Sequence, residues 1–88
     1  MSQEVVTVIT YAGEFVGKMG EVKDNSITLK DPRLVMPSEQ GLAFGSGVCL
    51  TGATHPDEVT FNNYLFYTKT EDKVEKAYRQ ATSGLVLA

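Results

Sequence analysis

The sequence predicts a mainly β domain of five strands followed by one α-helix. Three observations carry that expectation. Runs rich in Val, Ile, Thr and aromatic residues recur between short polar turns, glycines stand inside several of those runs, and the apolar period changes from two to about 3.6 after Tyr67. At 88 residues, the chain has room for a single domain, residues 1–88, with one modest core.

The elements follow in order. Glu4 to Tyr11 (Glu-Val-Val-Thr-Val-Ile-Thr-Tyr) has a strand composition, with Val6 and Val8 on one face and Val5, Ile9 and Tyr11 on the other. A strand apolar on both faces fits a barrel wall with something packed outside it, or a subunit interface. Ala12-Gly13 makes a turn into a second strand, Phe15 to Val22, whose Phe15, Gly17 and Met19 share a face. Gly17 and Gly20 inside that strand mark a bulge or sharp bend, and a small barrel needs such bends to close.

Lys23-Asp24-Asn25-Ser26 reads as a tight polar turn, because Asp and Asn tolerate left-handed backbone. Ile27-Thr28-Leu29-Lys30 then alternates as a third strand. Pro32 is expected to interrupt its ladder, leaving Leu34, Val35 and Met36 as an edge segment or a separate piece. After a loop from Pro37 to Gly41, Leu42 to Thr51 reads as a bent fourth strand carrying Gly45 and Gly47. Gly52 to Asp57 is a loop. The aromatic-rich run Val59 to Tyr67 is a fifth strand, or two short hairpin arms divided at Asn62-Asn63.

A helix is expected over about residues 70–83. Thr68-Lys69-Thr70-Glu71 matches a capping box, in which the Thr68 hydroxyl and Glu71 carboxylate satisfy free backbone amides. Val74, Ala77, Tyr78 and Ala81 fall on one helical face. Glu71 and Asp72 near the start and Arg79 near the end suit the helix dipole, and Gly84 is a natural C-cap. The tail Leu85-Val86-Leu87-Ala88 is apolar enough to pack on the barrel or on a neighbour.

Composition narrows the function. Eight basic residues against eleven acidic ones give a net charge of −3. Broad binding to duplex nucleic acid, which depends on neutralised phosphates, is therefore disfavoured. A site that reads bases by stacking and hydrogen bonds stays open. Cys49 is the lone cysteine and His55 the lone histidine, so neither an intrachain disulfide nor a structural zinc is available, and no cofactor or metal is expected. Cys49 lies in the apolar run Gly47-Val48-Cys49-Leu50, the setting of a buried inert thiol. The start Met1-Ser2-Gln3-Glu4 has no basic cluster. No apolar stretch approaches the roughly 20 residues of a membrane span. A cytoplasmic protein without membrane contact is the expectation.

Catalytic constellations are wanting. His55 beside Asp57 has the form of an oriented base, but no nucleophile stands next to it in sequence. Glu71, Asp72 and Glu75 read as a solvated helix face. Gly45-Ser46-Gly47 lacks the rest of a phosphate-loop fingerprint. No catalytic residue is assigned and the chain is not read as an enzyme. Binding character gathers instead at two polar turns, Lys23-Asp24-Asn25 and Asn62-Asn63-Tyr64. Each offers side-chain amides that can pair with a base edge, beside a charge or an aromatic ring. Asn and Asp also occupy turns for conformational reasons alone.

The stretch Val6 to Asp31 resembles the first signature segment of the Sm/LSm family: a strand, a glycine turn at Gly13, a second glycine (Gly17) in a bent strand, a polar turn at Asp24-Asn25, and the apolar pair Ile27 and Leu29. The whole chain is similar to small Sm-like proteins of the marine cyanophage type. The family's second signature, a basic residue then glycine between the last two strands, has two candidate positions here. These are Gly45-Ser46-Gly47-Val48 and Phe61-Asn62-Asn63-Tyr64, and neither holds Arg or Lys. The family's helix usually precedes the barrel; here it follows.

The resemblance implies a small five-stranded, strongly bent antiparallel barrel with a C-terminal helix. Such barrels join edge to edge into a homo-oligomeric ring, which disposes of exposed edge strands and a small core together. It further implies single-stranded RNA or DNA as partner, a role in RNA or DNA processing, and the host cytoplasm as location if a phage encodes the chain. Lys23, Asp24, Asn25, Asn62 and Asn63 would contact bases or sugars, with Tyr64 as a stacking group. The rival expectation is a ring-shaped protein-interaction or scaffold module without nucleic-acid binding, which the net acidity and the missing basic-glycine pair favour.

Overall fold

Alternation in the first strand decides the architecture. The computed structural model describes residues 4–39, 41–45, 48, 51–52 and 56–82. In β1 (Val5–Thr10), Val6 and Val8 point into a core shared with Phe15, Ile27 and Leu29, against which Met19, Leu34, Val48, Phe61 and Tyr64 pack. Val5, on the opposite face, belongs to a second cluster with Val16 and Tyr78, flanked by Val35 and Phe44. The strand is thus buried on both sides, with the interior on one and a helix on the other. Each fully buried aliphatic side chain of this kind contributes about 1.5–3 kcal/mol.

β2 (Gly13–Lys23) and β3 (Ser26–Ser38) are long antiparallel neighbours. Two register shifts bend them. Between the pairs Val16↔Arg33 and Lys18↔Lys30, Gly17 alone faces Asp31 and Pro32; between Met19↔Leu29 and Val22↔Ile27, Gly20 and Glu21 face Thr28 alone. The glycines expected to mark bends do so. At Gly17 the reason is steric, since a Cβ would lie 3.0 Å from the Leu29 Cβ and 3.1 Å from the Lys30 carbonyl oxygen.

Pro32 does not end the third strand. It sits fully buried inside the first bulge, where one residue is left out of the ladder and a missing N–H is tolerated. Asp31 beside it takes a φ of 52°, and β3 continues to Ser38.

The sheet path is β4-β3-β2-β1-β6, with β5 also on β3. The sequence suggests five strands; the described residues form six. The expected Leu42–Thr51 strand contracts to β4 (Gly41–Phe44), which pairs with Val35–Ser38. The Val59–Tyr67 run divides into β5 (Glu58–Asn62) and β6 (Phe66–Lys69). These two are not arms of one hairpin. β5 pairs with Ser26–Lys30 of β3 and β6 pairs with β1, so residues 63–65 carry the chain from one margin of the sheet to the other. The result is a mainly β, strongly bent antiparallel sheet that hydrogen bonds among the described residues do not close into a full barrel. Phe15 and Phe61, with ring centroids 4.8 Å apart, fill the interior under this crossing.

The C-terminal helix α1 spans Asp72–Thr82. Its cap lies one turn later than the Thr68 box suggests. Glu71 accepts the Val74 amide at 3.2 Å through its side chain, and its carbonyl accepts the first helical bond from Glu75. Thr68 is instead a residue of β6, opposite Thr7. The buried face is built on Tyr78, with Val74, Glu75, Arg79 and Thr82 half-buried, while Ala77 and Ala81 are exposed. The Tyr78 hydroxyl donates to the Asp31 carbonyl at 2.6 Å and its ring meets Phe44 edge-on at 6.1 Å. Burial, reinforced by the Asp31 carboxylate, pushes the Tyr78 pKa up to about 12.

Cys49, His55, Ser46, Gly47, the Gly84 cap and the Leu85–Ala88 tail lie outside the described residues. Among those described, no helix is long and apolar enough to cross a membrane.

Candidate nucleic-acid interface

The β2–β3 turn is as short as a hairpin allows: Lys23 pairs with Ser26, and Asp24-Asn25 make the corner. Neither Asp24 nor Asn25 adopts the left-handed backbone that would explain its choice. Among the described non-glycine residues, only Asp31 and Asn63 have positive φ. Lys23, Asp24 and Asn25 are exposed. The Lys23 ammonium is 3.9 Å from the Glu21 carboxylate, with both side chains about 70 % exposed, so it remains a solvated cation.

The β5–β6 connection lies directly alongside. Asn62, the last residue of β5, pairs with Ser26, and the next backbone amide, that of Asn63, donates to the Asn25 carbonyl at 2.8 Å. Asn63 makes the sharp corner with a φ of 56°. The amide of Leu65 then donates to Ile9 and delivers the chain to β1. The two turns singled out in the sequence, 37 positions apart between Asn25 and Asn62, therefore form one continuous surface. Its exposed groups are the carboxamides of Asn25, Asn62 and Asn63, the Asp24 carboxylate and the Lys23 ammonium.

Tyr64 is placed differently from the others. It is half-buried, packs against the interior cluster, and lies 6.0 Å from Tyr67 at a 58° tilt. The more open aromatic faces belong to Tyr67, 40 % exposed, and Phe66, 53 % exposed. Sequence reading treats both only as strand residues. Their signal is positional: an aromatic pair soon after a polar corner, on a strand that pairs with β1 alone among the described residues.

The arrangement is close to neutral and rich in amides. Each carboxamide offers an acceptor and two donors, the complement of a base edge. One lysine gives little phosphate neutralisation. Among the described residues, no group of three or more His, Cys, Asp or Glu is placed to hold a metal ion. A concavity of about 440 Å³ lies elsewhere, around the second bulge, lined by Met19, Gly20, Glu21, Thr28, Lys30 and Glu58. It includes none of the six candidate residues. No protein-family model matches the sequence, and no curated protein matches it.

Proposed function

We propose that the protein binds single-stranded nucleic acid, RNA foremost, at the joined β2–β3 and β5–β6 turns, and that copies assemble into a homo-oligomeric ring. The observation that carries the reading is the Asn63-to-Asn25 bond, which sets three exposed carboxamides on one surface beside Tyr64 and Tyr67. Amides select base edges, and the tyrosines supply stacking planes. The Sm/LSm resemblance supports the same site. Asn62-Asn63 stands between the last two strands, where that family places its basic-glycine pair, and Asn63 holds a backbone conformation that glycine takes freely. Self-assembly is supported by the small core and by the margins of β4, β5 and β6, which each pair on one side alone among the described residues.

Fluorescence anisotropy with short labelled RNA, single-stranded DNA and duplex DNA tests the reading. Single-stranded RNA should bind with a shallow salt dependence, a log–log slope of about −0.7 for each phosphate contacted. Asn25→Ala and Asn62→Ala should each weaken binding about fivefold. No binding to any single strand at low salt defeats the proposal. The exposed Leu65, Phe66 and Tyr67 favour a second reading, a ring-shaped scaffold that contacts proteins, and a closed multimer without nucleic-acid affinity would select it.

A further inference from the structure

We infer that the peptide bond between Asp31 and Pro32 is a self-cleavage site, with the Asp31 carboxylate as nucleophile and the Tyr78 hydroxyl as donor to the reacting carbonyl. The backbone is the first sign. A residue before proline is pushed toward extended conformations, yet Asp31 holds a φ of 52°. Backbone of this kind persists only where the surrounding structure enforces it, and it gathers at sites of chemistry. Here the Asp31 amide is tied to the Asp57 carbonyl at 2.8 Å, and the Pro32 side chain is fully buried. The bond between the two residues stands opposite Gly17 in the first bulge, outside the paired register of β2 and β3. Breaking it releases strain that the pairing on either side maintains.

Side chains then converge on that bond. The Tyr78 hydroxyl donates to the Asp31 carbonyl at 2.6 Å, where negative charge grows when the carbon is attacked. Its contact with the Lys30 carbonyl is longer, at 3.4 Å. The Arg33 guanidinium donates twice to Asp31 Oδ1, at 3.3 Å from Nε and 3.2 Å from Nη2. Asp31 Oδ2 accepts no hydrogen bond among the described residues, which leaves it as the attacking atom. It adds to the Asp31 carbonyl carbon, a C–O bond forms, and a cyclic anhydride closes. The C–N bond to Pro32 breaks, and the departing nitrogen takes a proton from solvent. Water then opens the anhydride. The Asp31 side chain is 31 % exposed, so water reaches this intermediate although Pro32 is buried. The net change is hydrolysis: Asp31 gains a second carboxyl group and Pro32 becomes a secondary-amine N-terminus.

Intact-mass spectrometry of the whole chain in mildly acidic buffer tests this, read over time for fragments 1–31 and 32–88. The folded protein should cleave about a hundredfold faster than the same chain in concentrated urea, because only the fold supplies the Tyr78 donor. The acid lability of a bare Asp-Pro pair would instead give equal rates, or a faster unfolded chain. Tyr78→Phe loses the hydroxyl and keeps the ring, and its folded rate should fall close to the urea rate. Asp31→Gly takes positive φ freely and should remain whole. If circular dichroism shows that it fails to fold, Asp31→Asn puts a far weaker nucleophile in place of the carboxylate and should also stay whole over the same time. No cleavage of the folded wild type, or cleavage no faster than in urea, overturns the inference. So does a Tyr78→Phe variant that cleaves as fast as the wild type.

Discussion

The backbone amide of Asn63 donates to the carbonyl of Asn25 at 2.8 Å, and Asn63 makes this reach from the left-handed region, with a φ of 56°. For most side chains that conformation costs about 1–2 kcal/mol, and asparagine is among the few that visit it readily. Conformation and chemistry at this position can therefore be separated. Asn63→Gly should fold as well as the wild type yet bind single-stranded RNA about fivefold more weakly. Asn63→Val should lose on the order of 1–2 kcal/mol of stability. Thermal melts and anisotropy on the two variants check the split; undiminished binding by Asn63→Gly would remove its side chain from the site.

The Tyr78 hydroxyl ties α1 to the Asp31 carbonyl inside the β3 bulge. Tyr78→Phe should cost about 1 kcal/mol in urea unfolding. The same residue sets an alkaline limit. Its pKa stands at about 12 in the fold, against 10.0 ordinarily, so the folded state holds the proton more tightly than the unfolded chain. This contribution is complete below pH 10 and declines as pH rises from 10 to 12, by on the order of 2 kcal/mol. Tyr78→Phe should lack that decline. If wild type and variant lose stability in parallel over this window, Tyr78 is not the group responsible.

These residues also show how far the fold is legible in the sequence. Local signals carry the double-sided β1, the bends at Gly17 and Gly20, the two polar turns and the helix, because alternation, glycine content and helical period are properties of short windows. What escapes is set by distant partners. Pro32 reads as a strand breaker, but its missing N–H falls in a bulge opposite Gly17. The Thr68 capping box fails because Thr68 is engaged with Thr7 across the sheet, which moves the cap to Glu71. The helix face turns toward Tyr78 and Arg79 and away from Ala77 and Ala81 because Asp31 and Phe44 decide where Tyr78 docks. The two turns can each be picked out from sequence; their meeting depends on β5 and β6 pairing with different strands.

Gly17 is the tightest point of the bent pair. A methyl group there would sit 3.0 Å from Leu29 Cβ and 3.1 Å from the Lys30 carbonyl oxygen, and backbone does not yield as a side-chain tip does. Gly17→Ala should destabilise by about 1–3 kcal/mol, whereas Ala12→Gly at the exposed β1–β2 turn should stay within about 0.5 kcal/mol. Urea midpoints measure both. A neutral Gly17→Ala would mean that β2 and β3 have room to separate at this bulge and admit the methyl group.

The buried hydroxyls of Thr7 and Thr70 meet at 2.9 Å, 63 positions apart in sequence. They join β1 to the residue just before the Glu71 cap, next to the 3.2 Å bond from the Thr70 amide to the Val5 carbonyl. Both threonines are at most 9 % exposed, so neither hydroxyl readily replaces its partner with water. Removing one leaves the other desolvated. Thr7→Val and Thr70→Val should each cost about 1–3 kcal/mol. The double variant substitutes two apolar groups of similar shape for the pair and leaves no orphaned hydroxyl, so it should recover part of that loss. A double-mutant cycle measures this directly, with an expected coupling of about 0.5–3 kcal/mol. Strict additivity would mean that the hydroxyls find other partners, and that the Thr70 backbone bond and the packing of Tyr78 suffice to hold α1 against the sheet.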